Sequence, residues 1–231
     1  MNIYGYQKTT LLDYPGHVAA TIFTGGCNFR CPFCHNSDLV VIPPITNNIS
    51  EEEILNFLKK RKNVLSGICI TGGEPTLQPD LPQFIEKVRS LGYKIKLDTN
   101  GYRPEIIANL LSQNLLDYIA MDIKSGYSNY AKVSSVPNLD IKHIKESIFL
   151  IEDSGIDYEF RTTVVKELHC QQDFFEISEM ISPKSPYFIQ SFKDNENILI
   201  PGLSCCDKET LEYFLSITKK KIVKAALRGI E

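Results

Sequence analysis

The sequence predicts an α/β fold in which a parallel sheet is joined and covered by helices. Three observations carry this. Short apolar, β-branched runs alternate with segments whose apolar residues recur at helical spacing, the pattern of βα units. Six such units fit within the 231 residues, and each helix supplies the crossover that a parallel neighbour requires. No Pro- or Ser-rich linker and no low-complexity tract interrupts them, so one domain is expected over residues 1–231.

VAATIFT at 18–24 reads as the first strand. Ser50 ahead of Glu51, Glu52 and Glu53 has the form of a capping box, and Ile54, Leu55 and Leu58 give that helix an apolar face. GICITG at 67–72 is the second strand, and Leu81, Phe84, Ile85, Val88 and Leu91 mark a helix that Gly92 ends. KIKLDT at 94–99 is the third, with Pro104 opening the next helix. LDYIAMDI at 116–123 is the fourth. Ile141, Ile144, Ile148 and Ile151 follow in a helix stopped at Gly155. DYEFRTTVV at 157–165 and PYFIQSF at 186–192 are the fifth and sixth, separated by a helix carrying Phe174, Phe175, Ile177 and Ile181. Asp207 is expected to cap a last helix whose Lys219 to Lys221 suit its negative end. Six units fit either an open doubly wound sheet or a curved, incomplete barrel, because a closed barrel takes eight. Both architectures bind ligands beyond the C-terminal ends of their strands.

Composition narrows the class. Hydrophobic residues at 43% and charged residues at 23% exclude disorder, collagen and coiled coil as whole-chain descriptions. A net charge of −3 argues against nucleic acid or an anionic membrane as partner. The N-terminus has no apolar signal region, and no apolar run approaches the ~20 residues of a membrane span. The expected compartment is a reducing cytosol, where clustered cysteines read as metal-binding or catalytic. There are seven, an odd number, and three crowd into one loop.

That loop, GGCNFRCPFCHN at 25–36, follows the first strand with Cys27, Cys31 and Cys34 at x3 and x2 spacing. Pro32 disfavours one continuous helix. Three thiolates are one short for structural zinc, and His35 is poorly placed to join its neighbour Cys34 on one ion. They suit an iron–sulfur cluster with one open iron. The alternatives are free cysteines, or zinc completed by a distant cysteine. After the second strand, Gly72 and Gly73 allow close backbone approach and Glu74 could accept from an amine, or could simply sit solvated in a tight turn. Asp98 and Asp122 end neighbouring strands, where they could cap turns or together hold a hard cation. Arg161 in an apolar strand needs a carboxylate or ligand partner, and Glu159 is one candidate.

CNFRCPFC resembles the C-x3-C-x-aromatic-C signature of radical S-adenosylmethionine (SAM) enzymes, with Phe33 as the aromatic. The continuation into His35-Asn36, the Gly72-Gly73-Glu74-Pro75 run and Asp98-Thr99-Asn100-Gly101 resemble the glycyl-radical-enzyme activating enzymes, including that of pyruvate formate-lyase. The opening GYQKTTLLDYPGHVAATIFTGGCNFRCPFCHN is similar, more narrowly, to activating proteins of anaerobic ribonucleoside-triphosphate reductase.

The resemblance implies a partial (β/α)6 TIM-like barrel. It implies that Cys27, Cys31 and Cys34 ligate a [4Fe–4S] cluster whose fourth iron chelates SAM. Glu74, with the Gly72-Gly73 backbone, would meet the methionine amine, and the backbone near Phe33 the adenine. Asp98, Thr99 and Asp122 would match a monovalent cation site, Na+ or K+, beside the SAM carboxylate. Lys124 and Arg161 would neutralise or orient SAM, while Gln190 and Phe192 lie where adenine contacts are expected. Flavodoxin or ferredoxin would reduce the cluster, and SAM cleavage would yield a radical that takes hydrogen from a partner's glycine. Cys69, Cys170, Cys205 and Cys206 would be structural or incidental. Two rivals share some of these residues: a radical SAM enzyme acting on a small molecule, such as one like 7-carboxy-7-deazaguanine synthase, and a non-catalytic zinc-stabilised binding protein.

Overall fold

The computed structural model describes residues 1–41, 48–194 and 197–229. The elements in chain order are β1 (Ile3–Thr10), β2 (Ala19–Thr24), α1 (Ser37–Val40), α2 (Glu51–Arg61), β3 (Gly67–Gly72), a 3-10 turn (Pro75–Leu77), α3 (Leu81–Ser90), β4 (Lys94–Thr99), α4 (Pro104–Ser112) and β5 (Tyr118–Asp122). They continue as α5 (Tyr130–Ser134), α6 (Ile141–Glu152), β6 (Asp157–Val164), α7 (Gln171–Met180), β7 (Tyr187–Ser191), α8 (Lys208–Lys219) and β8 (Ala225–Arg228). The sheet takes its strands in sequence order, with β1 and β8 as its two edges, so it is open. This is the partial barrel architecture, with a strand added at each edge to the six expected.

Contacts divide the chain into two compact units. The first holds Met1–Asn28, Asp38–Thr99 and Glu105–Ile119; the second holds Phe29–Ser37, Asn100–Pro104 and Ala120–Glu231.

In the first unit β2, β3 and β4 are parallel, with Thr21, Cys69 and Lys96 in register. Ile22, Ile68, Ile70, Ile95 and Leu97 of the strands and Ile54, Leu58, Phe84, Ile85 and Val88 of α2 and α3 are all buried. Ser50 caps α2, its hydroxyl accepting the Glu53 N–H at 3.1 Å, while Glu51 to Glu53 face the positive end of the helix dipole. Gly92 ends the α3 segment at φ +91°, a conformation that favours glycine. Asp117 gathers the Ile95 N–H, Arg89 and Lys94, pinning the entry to β5 against β4. The strand missed here is β1. It pairs antiparallel with β2 through Tyr6 opposite Ile22, interrupted by two register shifts. IYGYQKTT has no apolar alternation because little of this edge strand is buried.

In the second unit β6, β7 and β8 are parallel, with Thr163, Gln190 and Arg228 in register near their C-terminal ends. Phe160, Ile189 and Tyr187 are buried with Phe174 and Ile177 of α7, and Phe174 stacks on Phe214 of α8 at 4.3 Å. Asp207 caps α8, accepting the Thr210 N–H at 2.7 Å. Ala225–Arg228 forms β8 although AALR has low strand propensity; its pairing to β7 decides it. The five-residue α5 was also unforeseen in a segment read as loop.

Candidate functional site

The strand-end residues of the first unit fold around the base of the cysteine loop. The Gly26 N–H donates to Leu39 O at 2.7 Å and the Cys27 N–H to Val40 O at 3.1 Å. From the other side the Gly73 N–H donates to Thr24 O at 2.8 Å and the Glu74 N–H to Gly26 O at 2.7 Å. Here the two glycines show their purpose. A Cβ at Gly73 would stand 2.1 Å from Gly26 O, and one at Gly72, whose φ is +116°, would stand 2.4 Å from Thr24 N and O. The close backbone approach is to the protein's own chain, directly before Cys27.

Glu74 is buried, so the solvated-turn alternative falls away. Its Oε1 accepts from the Thr76 N–H at 3.1 Å, the Thr76 hydroxyl at 2.6 Å and the Thr99 hydroxyl at 2.7 Å. It caps the 3-10 turn and ties the end of β4 to the end of β3. Thr99 and Asp98, as strand neighbours, turn to opposite faces. The Asp98 carboxylate is paired with Lys96 and lies 3.7 Å from the Cys69 thiol.

The second unit holds the rest of the loop. Cys31 and Phe33 are buried and Cys34 is half-buried. The Arg30 N–H donates to Ser134 O at 3.0 Å and Phe29 meets Tyr130 edge-on at 6.4 Å, so α5 is the platform under this stretch. His35 points elsewhere: its Nε2 lies 2.7 Å from Lys193 O and its ring stacks on Phe192 at 5.5 Å.

Asp122, Lys124 and Arg161 do come together. Arg161 Nε donates to Asp122 Oδ1 at 2.8 Å, and Lys124 Nζ to Oδ2 at 3.1 Å. Burial opposes the carboxylate's charge, yet the Arg161 guanidinium and the Lys124 ammonium hold its pKa well below the usual range. Burial likewise works against Lys124, but Asp122 and then the Cys31 sulfur keep its pKa well above that of a free lysine. Glu159 is a lesser partner for Arg161, at 3.9 Å, because it is held by both guanidinium nitrogens of Arg228 at 2.8 Å.

His169 was missed by sequence reasoning. It is buried, and burial lowers its pKa, so it stays neutral. Its Nε2 lies 2.8 Å from Lys124 O and its Nδ1 accepts the Val165 N–H at 3.0 Å, a pattern that assigns the Nε2–H tautomer. Its ring meets Phe33 edge-on at 6.2 Å. One imidazole therefore joins the ends of β5 and β6 to the cysteine loop. No motif marks it; a lone histidine in a loop gives no sequence signal.

Gln190 lines a cavity of about 460 Å³ with His35, Thr163, Ser191, Lys193 and Arg228, and among the described residues no acidic side chain lines it. Arg228 is fixed there by Glu159 and by the Phe188 ring, 3.6 Å away.

The donor set suits an iron–sulfur cluster. None of the seven cysteines is in a disulfide, three of them share the loop, and the Cys31 sulfur interacts with the Lys124 ammonium. Among the described residues no three His, Cys, Asp or Glu side chains converge closely enough to hold a single metal ion. Zinc needs four donors converging on one point, whereas cluster thiolates each meet a different iron. Among the described residues no helix is long and apolar enough to cross a membrane.

The profile of the radical SAM superfamily matches residues 21–172. A protein of Methanocaldococcus jannaschii, provisionally named a glycyl-radical enzyme activating enzyme, is 31% identical over 99% of this chain and 96% of its own length. A provisionally named GTP 3′,8-cyclase of Saccharolobus solfataricus is 27% identical over 87% of this chain, which spans 65% of that relative. Among solved structures, Streptococcus suis SuiB bound to its precursor peptide SuiA shares the fold with a TM-score of 0.68 at 13% identity, over 91% of this chain and 48% of that one.

Proposed function

The chain belongs to the radical SAM superfamily, and on that footing we propose that it activates a glycyl radical enzyme, with anaerobic ribonucleoside-triphosphate reductase as its target. The observation that carries the activase reading is the likeness to the M. jannaschii activating enzyme, which runs through essentially the whole of both chains. The choice of reductase rests on the run from Gly5 to Asn36, which resembles the activating proteins of that enzyme.

Cys27, Cys31 and Cys34 would hold the [4Fe–4S] cluster. The chemistry supplied by a bound cluster and SAM is one-electron cleavage of the sulfonium and removal of a hydrogen atom from a glycine. The chain's own residues carry placement and exclusion of water. Arg161 and Lys124, oriented on Asp122, would present positive charge to the SAM carboxylate. Glu74, its carboxylate fixed by Thr76 and Thr99, would accept from the methionine amine beside the Gly72-Gly73 backbone. The backbone at Phe33, whose ring meets His169, would meet adenine, and Gln190, which lines the cavity, would be a further adenine contact. A flavodoxin or ferredoxin fits as electron donor, and a reducing cytosol fits seven free thiols.

The test is anaerobic incubation with dithionite, SAM and the purified reductase. A glycyl-radical EPR signal on the reductase is expected. The relative named for GTP 3′,8-cyclase favours one second reading, a radical SAM enzyme acting on a small molecule. If 5′-deoxyadenosine forms while neither the reductase nor pyruvate formate-lyase becomes radical-bearing, that second reading replaces the first.

A further inference from the structure

The resemblance calls for a monovalent metal cation on Asp98, Thr99 and Asp122, and the side chains of this protein do not fit one. Lys96 lies two residues before Asp98 on β4, so both side chains leave the same face of the strand. It is 1% exposed, and its ammonium is paired with the Asp98 carboxylate. The same nitrogen stands 3.7 Å from the Cys69 sulfur and 5.9 Å from the centre of the Tyr118 ring. A carboxylate, a polarisable sulfur and an aromatic face surround one positive charge, a shell that compensates a buried ammonium but offers a metal cation few oxygen ligands. The Thr99 hydroxyl is engaged with Glu74 on the opposite face. In its own unit Asp122 already has Arg161 and Lys124. Each carboxylate is neutralised by the chain itself, and a further cation at Asp98 would meet the Lys96 ammonium head-on. A lysine this buried is rarely left without such a role, because its charge must be compensated.

We infer that the Lys96 ammonium takes the place of the metal cation. It is a positioning residue: it balances and orients Asp98, so that SAM binding requires neither Na+ nor K+. This rests on the reading that the chain binds SAM.

The experiment is isothermal titration of SAM into the anaerobically reconstituted protein in sodium, potassium and tetramethylammonium chloride at equal ionic strength. Affinities within about twofold of one another are expected. A tenfold or greater loss in tetramethylammonium, which is too large for such a site, overturns the inference. The second readout is thermal unfolding of the cluster-free protein in the same salts. Wild type is expected to show no K+-specific shift. Lys96→Met, which removes the charge but keeps the bulk, is expected to bind SAM at least tenfold more weakly in tetramethylammonium and to recover with K+ or methylammonium. Wild-type affinity in that variant, without any added small cation, also overturns the inference. If Lys96→Met does not fold, the wild-type comparison decides alone. Absence of SAM binding in every salt sinks the SAM reading instead, and the melting comparison then decides whether a metal cation binds.

Discussion

Asp122 concentrates the charge balance of the second unit. Its folded pKa lies below the unfolded value of about 3.9, so its stabilising contribution is complete above that pH and is lost as pH falls toward the folded value. Asp122→Asn is expected to flatten the decline in unfolding free energy between about pH 5 and 2. At neutral pH it should cost roughly 1–2 kcal/mol, a buried-pair loss discounted because the side chain is 33% exposed. The check is urea unfolding across that pH range, and parallel curves would show that Asp122 makes no such contribution. Arg161 and Lys124 would remain without their anchor, so SAM affinity should fall while iron content holds. Cys31→Ala should lose the iron itself. It removes one of the three thiols proposed as cluster ligands, and 5′-deoxyadenosine formation should vanish with loss of iron. Retained SAM cleavage would refute the ligand assignment. The cysteines were legible in sequence because their spacing is local. Their charge partners were not: Asp122 meets Arg161 39 residues on, and Glu159 meets Arg228 69 residues on.

Among the elements, the turn after β3 matters most, because it sets the root of the cysteine loop. Gly73→Ala would press a methyl group onto backbone atoms of Gly26 and Leu39 that cannot rotate away. Gly5→Ala meets only a ring carbon of Phe23, 3.9 Å off, and serves as control. Both variants should keep their helical circular dichroism, but anaerobic reconstitution should load less than half the wild-type iron into Gly73→Ala. Equal loading would show that the turn does not shape the loop. The central strands and long helices were readable because each buries a periodic apolar face, and β4 from Lys94 to Thr99 coincides with its expected bounds. Both edge strands escaped notice for one reason. An edge strand is buried on little of its surface, so selection for apolar alternation is weak and pairing alone decides its conformation.

At the scale of the whole molecule, an open sheet wound in sequence order puts chemistry where parallel strands end. Within the first unit, Glu74 and Thr99 lie at the ends of β3 and β4. Within the second, Gln190 and Arg228 lie beside each other near the ends of β7 and β8. On the activase reading, the reduced protein incubated anaerobically with SAM and GTP, in the absence of the reductase that itself consumes ribonucleoside triphosphates, is expected to leave GTP unconsumed; chromatography of the nucleotide checks this, and GTP turnover would favour the small-molecule reading. The amino-acid sequence by itself determined the alternation of strands and helices, the cysteine loop and the superfamily, because these are written in local spacing and burial. Only the tertiary structure decided what each charge is for. Lys96 reads as an ordinary strand residue until Cys69 and Tyr118 close around it, and His169 is unremarked until it joins Lys124, Val165 and Phe33. A charge or a lone imidazole can be satisfied by many neighbours, and only folding selects which of them arrives.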